Sequence, residues 1–344
     1  MIHLRSRRWV MKRLLILFTW VPAGKYNPPC LWSKGISQHC DFKGPDSYWR
    51  ENTESCQSES FFRQHYAGAS GVVWVRLSTR SREGVPCDLD NFVRGALPTI
   101  RQPFVLITTD GDASVPSDIA TATTEALLDC PWLVSWHTQN YDGHVHAKFA
   151  PLPVGLDLHT PRFFSSARRL VGELQRIRAS RLPLDQMPLR IFCDLEVNLD
   201  SEERRRAAAM LRKYDHVDFL RRRVSQTAIW RRYAEYPFVL SAMGNGLDCH
   251  RTWELLYLGC IVITKTSPLD SLFDGLPVVV VEDWEEIGDR RNLSKWLHQY
   301  GDLTDRKNVW DRLDPGRLIK SVRQTLANSR NRSPVGKTGN VPNT

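Results

Sequence analysis

Residues 236–270 limit the fold of this 344-residue chain more tightly than any other stretch. Phe238 to Ser241 is a short apolar run that ends at Gly244-Asn245-Gly246. A helix is expected from about Asp248 to Leu258, with Gly259 as its C-terminal stop. Ile261 to Thr264 is β-branched and reads as a second strand. Two glycines in the loop allow a sharp turn and the approach of a ligand with no Cβ in the way. A loop feeding a helix N-terminus presents unpaired N–H groups and a positive dipole end, which suits a diphosphate. His250 and Arg251 would add positive charge in the first turn, and Glu254 lies within reach of a sugar hydroxyl. Asp248 reads most simply as the helix N-cap, and Trp253, Leu255, Leu256 and Leu258 as core. A dinucleotide fold is disfavoured, because Cys249 stands where the third glycine belongs and Thr264-Lys265 replaces the acidic strand end. The bland alternative is a tight turn before a core helix.

The rest of the chain alternates in the same way. Strands are expected at Val72–Arg76, Pro103–Thr108 and Trp132–Trp136, with helices at Leu89–Ile100 and about Ser117–Leu128. A loop holding His137, His144 and His146 follows, then the segment Phe149–Leu156. The second run comprises Leu189–Cys193, helix Ser201–Lys213, Val217–Leu220, helix Ser225–Ala234, the central motif, strand Pro277–Val281 and helix Trp284–Tyr300. Such alternation means βαβ units and parallel sheets, and the length suits two domains. The division expected is 25–165 and 185–327, joined by a partly helical connector over Phe163–Leu184, with a polar tail at 328–344. Residues 25–70 show no clear period. Residues 1–24 read either as a secretory signal, basic over Arg5–Arg13 and apolar over Leu14–Val21, or as a first strand.

Composition excludes little. The net charge of +9 points to an anionic partner, but Arg204-Arg205-Arg206 and Arg221-Arg222-Arg223 fall on helices or their edges, where solvated faces explain them. No zinc-finger spacing, aromatic RNA-binding motif or basic-zipper pattern supports nucleic acid as a partner. Cys30, Cys40, Cys56 and Cys87 can pair if the chain is secreted, whereas Cys193, Cys249 and Cys260 read as buried thiols. Asn292-Leu-Ser294 fits a glycosylation acceptor, a pattern common by chance. The compartment stays open between secretory and cytoplasmic.

Further candidates flank the first run. Asp110-Gly111-Asp112 closes a strand. Either carboxylate suits a general base, a divalent-metal ligand or an ordinary turn; we favour the base over the metal, and the plain turn over either for any single Asp. His137 is a second candidate base. His144-x-His146 lacks further ligands and reads as a polar loop. Asp157 and His159 are a carboxylate that can orient an imidazole, or a turn. Lys265 ends a strand, where open α/β sheets bind ligands.

With Phe104-Val-Leu-Ile-Thr-Thr-Asp-Gly-Asp112 and Leu152-Pro-Val-Gly-Leu-Asp-Leu-His-Thr160, the central motif GNGLDCHR-x-W-E resembles the exostosin-like glycosyltransferases over about residues 70–290. The resemblance implies a GT-B-like α/β fold, two Rossmann-like domains with parallel sheets facing a cleft. It implies inverting transfer from a nucleotide-sugar donor, a UDP-sugar above others, to a glycan or glycoprotein acceptor, usually with no metal and no other cofactor. By position Gly244, Asn245 and Gly246 would lie against the diphosphate. Arg251 would neutralise it and Glu254 would take the ribose hydroxyls. Ala242-Met243 departs from relatives that carry a basic residue before the first glycine. Two other readings stand beside this one: a polysaccharide pyruvyltransferase-like enzyme that keeps the phosphate loop, and a non-catalytic glycan- or anion-binding module.

Overall fold

A computed structural model describes residues 28–50, 56–77, 87–160, 166–195 and 202–332. The expectations for 1–24 and for the end of the tail lie outside these residues. The first sheet holds four parallel strands in sequence order, β1 (Gly71–Arg76), β2 (Phe104–Thr109), β3 (Leu133–Thr138) and β4 (Phe149–Pro151). The second holds five parallel strands in the order β6-β5-β7-β8-β9: β5 (Ile191–Cys193), β6 (Val217–Phe219), β7 (Phe238–Leu240), β8 (Ile261–Lys265) and β9 (Val278–Val281). Helices α1 (Asp46–Arg50), α2 (Glu59–Tyr66), α3 (Asp88–Gly95) and α4 (Thr121–Leu128) belong to the first half, and α5 (Ala167–Ala179) connects the halves. Helices α6 (Glu202–Leu211), α7 (Gln226–Tyr233), α8 (His250–Leu258), α9 (Arg291–Tyr300) and α10 (Arg306–Arg312) follow, and α11 (Pro315–Arg332) ends the described chain. This is the expected α/β layout of two Rossmann-like halves.

Helix-covered parallel sheets are buried on both faces, which accounts for the near-continuous apolar strands. Every residue of β2 is buried. In the second sheet Val239, Val262 and Val278 point into one core with α5, α7 and α8, while Phe238, Leu240, Ile261 and Ile263 point into another with α6 and α9. Ser225 caps α7 through the Ala228 N–H. Gly259 ends α8 at φ 84°, a left-handed conformation that costs glycine no Cβ clash.

Several boundaries move for local reasons. The helix expected from Ser117 starts at Thr121, because residues 114–119 close hydrogen-bonded turns first. The helix expected over 284–300 is split: Asp283 and Glu286 form a capping box around a short 3-10 segment, and α9 begins afresh at Arg291. Strand β3 runs on through Thr138, so His137 is a strand residue and not part of the following loop. All eight cysteines are free, and only Cys56 is exposed.

The halves also interlace more than a division at 165 and 185 implies. Ile319, Val322 and Leu326 of α11 pack into the first core with β1, β2 and β3. Conversely Cys30, Trp32, Val154, Leu156 and Leu158 join the second core. The polar run after residue 327 continues α11 to Arg332 instead of beginning a tail there.

Candidate active site

The carboxyl ends of both sheets meet at one seam. In open α/β sheets that is where ligands bind. From the first half come the turn after β2, the residues Gln139 and Asn140 after β3, and the segment 152–160 after β4. From the second come the glycine loop after β7, the start of α8 and Lys265 at the end of β8.

Asp248 and Asn140 tie the seam together. The Asp248 carboxylate accepts from Val154 N–H at 2.7 Å, from Cys249 N–H at 2.8 Å and from Trp253 Nε1 at 2.8 and 2.9 Å. Burial pushes its carboxyl up to about 6, against the pull of these donors. The N-cap position belongs to Cys249, so Asp248 joins the halves and does not cap the helix. Asn140 is buried at φ 54°, a conformation asparagine tolerates better than most residues. Its Oδ1 accepts Asp248 N–H at 2.9 Å and its Nδ2 donates to Gly111 O at 3.1 Å. One side chain thus connects the Asp110-Gly111-Asp112 turn to the glycine loop.

The glycines act by close approach. Neither Gly244 nor Gly246 has a positive φ. A Cβ on Gly246 would meet the Asn140 amide at 2.8 Å. The chain does turn sharply there, Gly244 N–H donating to Gly246 O at 3.2 Å, but packing and not backbone angle is what calls for the glycines. Two of the N–H groups expected to face a phosphate, those of Asp248 and Cys249, are already used. The N–H groups of His250 and Arg251 belong to the first turn, which has no carbonyl one turn back to bond. Asn245 is exposed at the tip.

The basic groups take unexpected partners. Arg251 Nε stands 3.0 Å from Asp194 Oδ1, and Tyr233 OH donates to Asp194 Oδ2 at 2.5 Å. Arg251 therefore reaches the loop as half of a partly buried ion pair. Arg204 of α6 is buried as well, donating from Nε to Met243 O at 2.7 Å and from Nη2 to Ala242 O at 3.1 Å. Arg204 alone departs from the solvated-face reading, whereas Arg205, Arg206 and Arg221 to Arg223 are exposed as expected. Arg204 also places a guanidinium beside Ala242 and Met243. Lys265 Nζ is 3.7 Å from Glu203 Oε1 and lines a small pocket with Ser241, Met243, Cys249 and Thr252. Glu254 departs furthest from expectation. It is buried, and its Oε2 accepts from Trp230 Nε1 and Gln226 Nε2, each at 2.9 Å. In this arrangement it braces α7 against α8 and is not open to a ribose.

Across the seam Asp110 stands at φ 68° with its carboxylate 3.3 Å from Lys34 Nζ, a buried lysine from the stretch without clear period. Gln139 Oε1 accepts the Asp110 N–H at 3.1 Å. Asp112 is exposed. His137 makes its side-chain bond to Ser135 of its own strand at 3.1 Å, and burial pushes its imidazole down to about 4. It is thus neutral near pH 7. Asp157 and His159 lie 3.4 Å apart and meet His250, whose ring centroid is 5.3 Å from that of His159. Burial also lowers the His159 pKa, with Asp157 opposing. His144 and His146 flank the Phe149 ring on an exposed loop.

Sequence reasoning missed Asn140, Lys34, Asp194 and Arg204. The first three carry no motif, and the fourth sits in a run of three arginines that nothing in the order of residues tells apart.

No family model matches the chain, and no curated protein matches it. Solved structures do. A UDP-forming α,α-trehalose-phosphate synthase from Burkholderia xenovorans is 11% identical with a TM-score of 0.41, over 75% of this chain and 73% of that one. A second, from Burkholderia vietnamiensis, is 10% identical with a TM-score of 0.43, over 79% and 78%. A glycosyltransferase of avilamycin A biosynthesis is 12% identical with a TM-score of 0.33, over 77% and 99%. What the site can do is decided by its own groups.

Proposed function

We propose that the chain is a nucleotide-sugar glycosyltransferase of the inverting kind, most simply one that uses a UDP-sugar and a glycan acceptor. The observation that carries this reading is convergence at the carboxyl end of β7. The Gly244–Gly246 loop, the start of α8, Arg204, Arg251 and Lys265 all reach one place. A diphosphate leaving there would be stabilised by first-turn N–H groups and fixed guanidinium charge, groups that need no reorganisation as charge develops. The acceptor hydroxyl attacks the anomeric carbon from the opposite face, the bond from that carbon to the diphosphate oxygen breaks, and the hydroxyl proton passes to a carboxylate. Asp110 is the group we assign to that proton. It is tied to the donor loop through Gly111 and Asn140, and its carboxylate lies 3.3 Å from Lys34 Nζ. Asp112 and His137 are weaker choices, one exposed and the other turned to its own strand.

Calorimetric titration with UDP, GDP and phosphoenolpyruvate tests the reading. UDP should bind to the metal-stripped chain, and Lys265→Ala should weaken it about 10-fold, the usual weight of one charge-assisted contact. Binding of phosphoenolpyruvate alone would move the assignment to pyruvyl transfer, and binding of none of the three would end the donor-site reading.

A further inference from the structure

The geometry points to a site for one divalent transition-metal ion of the zinc class, held by Asp157, His159 and His250. One ligand atom from each lies within 4.8 Å of the others, and all three residues are half-buried. Asp157 and His159 stand two residues apart in the segment leaving the first sheet, while His250 arrives from the first turn of α8. The site therefore takes ligands from both sides of the seam.

Its side chains are oriented by their surroundings. His250 Nδ1 lies 2.7 Å from the Gly155 carbonyl. A carbonyl only accepts, so Nδ1 carries the proton and Nε2 keeps the lone pair that a metal needs. Asp157 Oδ1 accepts the Thr160 N–H at 3.0 Å, which fixes its carboxylate. Two imidazoles and one carboxylate form a mixed nitrogen and oxygen set. Calcium and magnesium prefer oxygen alone, and structural zinc sites favour thiolates. Two histidines with one carboxylate and an open fourth position suit zinc or its neighbours in the first transition row. The present spread exceeds the roughly 3.4 Å between donors of a tetrahedral ion with bonds of about 2.1 Å. Metal binding would therefore have to draw the three side chains together.

Among the described residues, the positive end of α8 and the Lys34 ammonium oppose a cation, and Asp110 offsets the second. The dipole of a helix end is a small term beside three metal–ligand bonds. This proposal goes beyond the glycosyltransferase reading: a metal would take the His250 side chain that was expected to add positive charge at the diphosphate and leave its backbone N–H to that site, and metal and UDP binding are measured separately.

The test uses the full chain, tag removed and stripped with a chelator. Zinc is titrated against a chromophoric competitor and Co²⁺ is followed by its visible absorption. About one equivalent should bind at sub-micromolar Kd, with an intense tetrahedral-type Co²⁺ band, and binding should raise Tm. Asp157→Asn and His159→Gln should each weaken affinity at least 10-fold and abolish the shift in Tm while the far-ultraviolet circular dichroism stays unchanged. The double variant His144→Ala/His146→Ala should bind like the parent. Absence of stoichiometric binding would overturn the proposal, and so would loss of binding only in the His144/His146 variant. UDP titration of the same stripped protein reads the donor site separately.

Discussion

His137 shows what a residue's surroundings add to its type. A histidine after a strand is a natural base, but this one lies within β3 and its pKa falls from 6.5 to about 4. Between those values the unfolded chain binds a proton that the folded chain refuses. Stability is therefore full above pH 6.5 and declines as pH drops toward 4, by at most about 3 kcal/mol at about 1.4 kcal/mol per pH unit. His137→Gln should flatten this slope. Urea midpoints of both proteins at pH 7.5 and pH 5 measure it, and parallel pH dependence would refute the assignment. Glu254 teaches the same lesson from the side of packing. Glu254→Ala leaves the Trp230 indole N–H unpaired in a dry core, which should cost about 2–3 kcal/mol. A ribose contact predicts weaker UDP binding at unchanged stability. The buried brace predicts the reverse, so a melt and a titration of one variant separate them. The residue types at 244–254 were legible because a glycine loop before a helix has few uses. Their partners were not, since Asn140, Asp194 and Trp230 come from 20 or more residues away and no period links them to the motif.

At the scale of elements, the central strand–loop–helix–strand unit was readable because each piece is locally consistent. Apolar β7, the Gly259 stop and β-branched β8 agree in propensity and pattern. Elements with competing signals were misread. Trp284–Tyr300 has continuous helical spacing, yet Asp283 and Glu286 close a cap that interrupts it. The first helical turns around residues 35–66 were invisible because they are short, although Ile36, Tyr48, Trp49, Phe62 and Tyr66 all serve the first core. The loop before α8 gives the sharpest test at this scale. Its second glycine is required by the Asn140 amide, not by backbone angle. In Gly246→Ala a methyl group placed 2.8 Å from that amide must push it away. The bonds from Asn140 to Asp248 and Gly111 should break together, at about 1–3 kcal/mol. Asn140→Gly in the same background should relieve the clash and recover part of the loss. Non-additivity in that double-mutant cycle is the expected signature, and simple addition of the two effects would count against a shared contact.

For the whole molecule, the decisive feature is the return of α11. The expected two-domain order placed everything from 185 to 327 in the second half. Yet Ile319, Val322 and Leu326 complete the first core, and Arg323 pairs with Asp41 at 2.7 and 2.8 Å. Asp41 in turn accepts the Val72 N–H at 2.8 Å, next to β1. Cys30, Trp32, Val154, Leu156 and Leu158 make the opposite exchange into the second core. Two sheets stitched by exchanged segments, and by Asp248 and Asn140 at the seam, should unfold together, whereas two domains on a linker would unfold one after the other. Val322→Asp tests this. An unpaired carboxylate in the first core should cost more than about 3 kcal/mol, by lost apolar burial and by desolvation. If the halves are coupled, the second half loses stability as well, and hydrogen exchange in β7 and β8 should quicken with that in β1 and β2. Exchange that quickens in β1 and β2 while β7 and β8 keep their protection would instead mean that the second half, with its glycine loop, stands on its own.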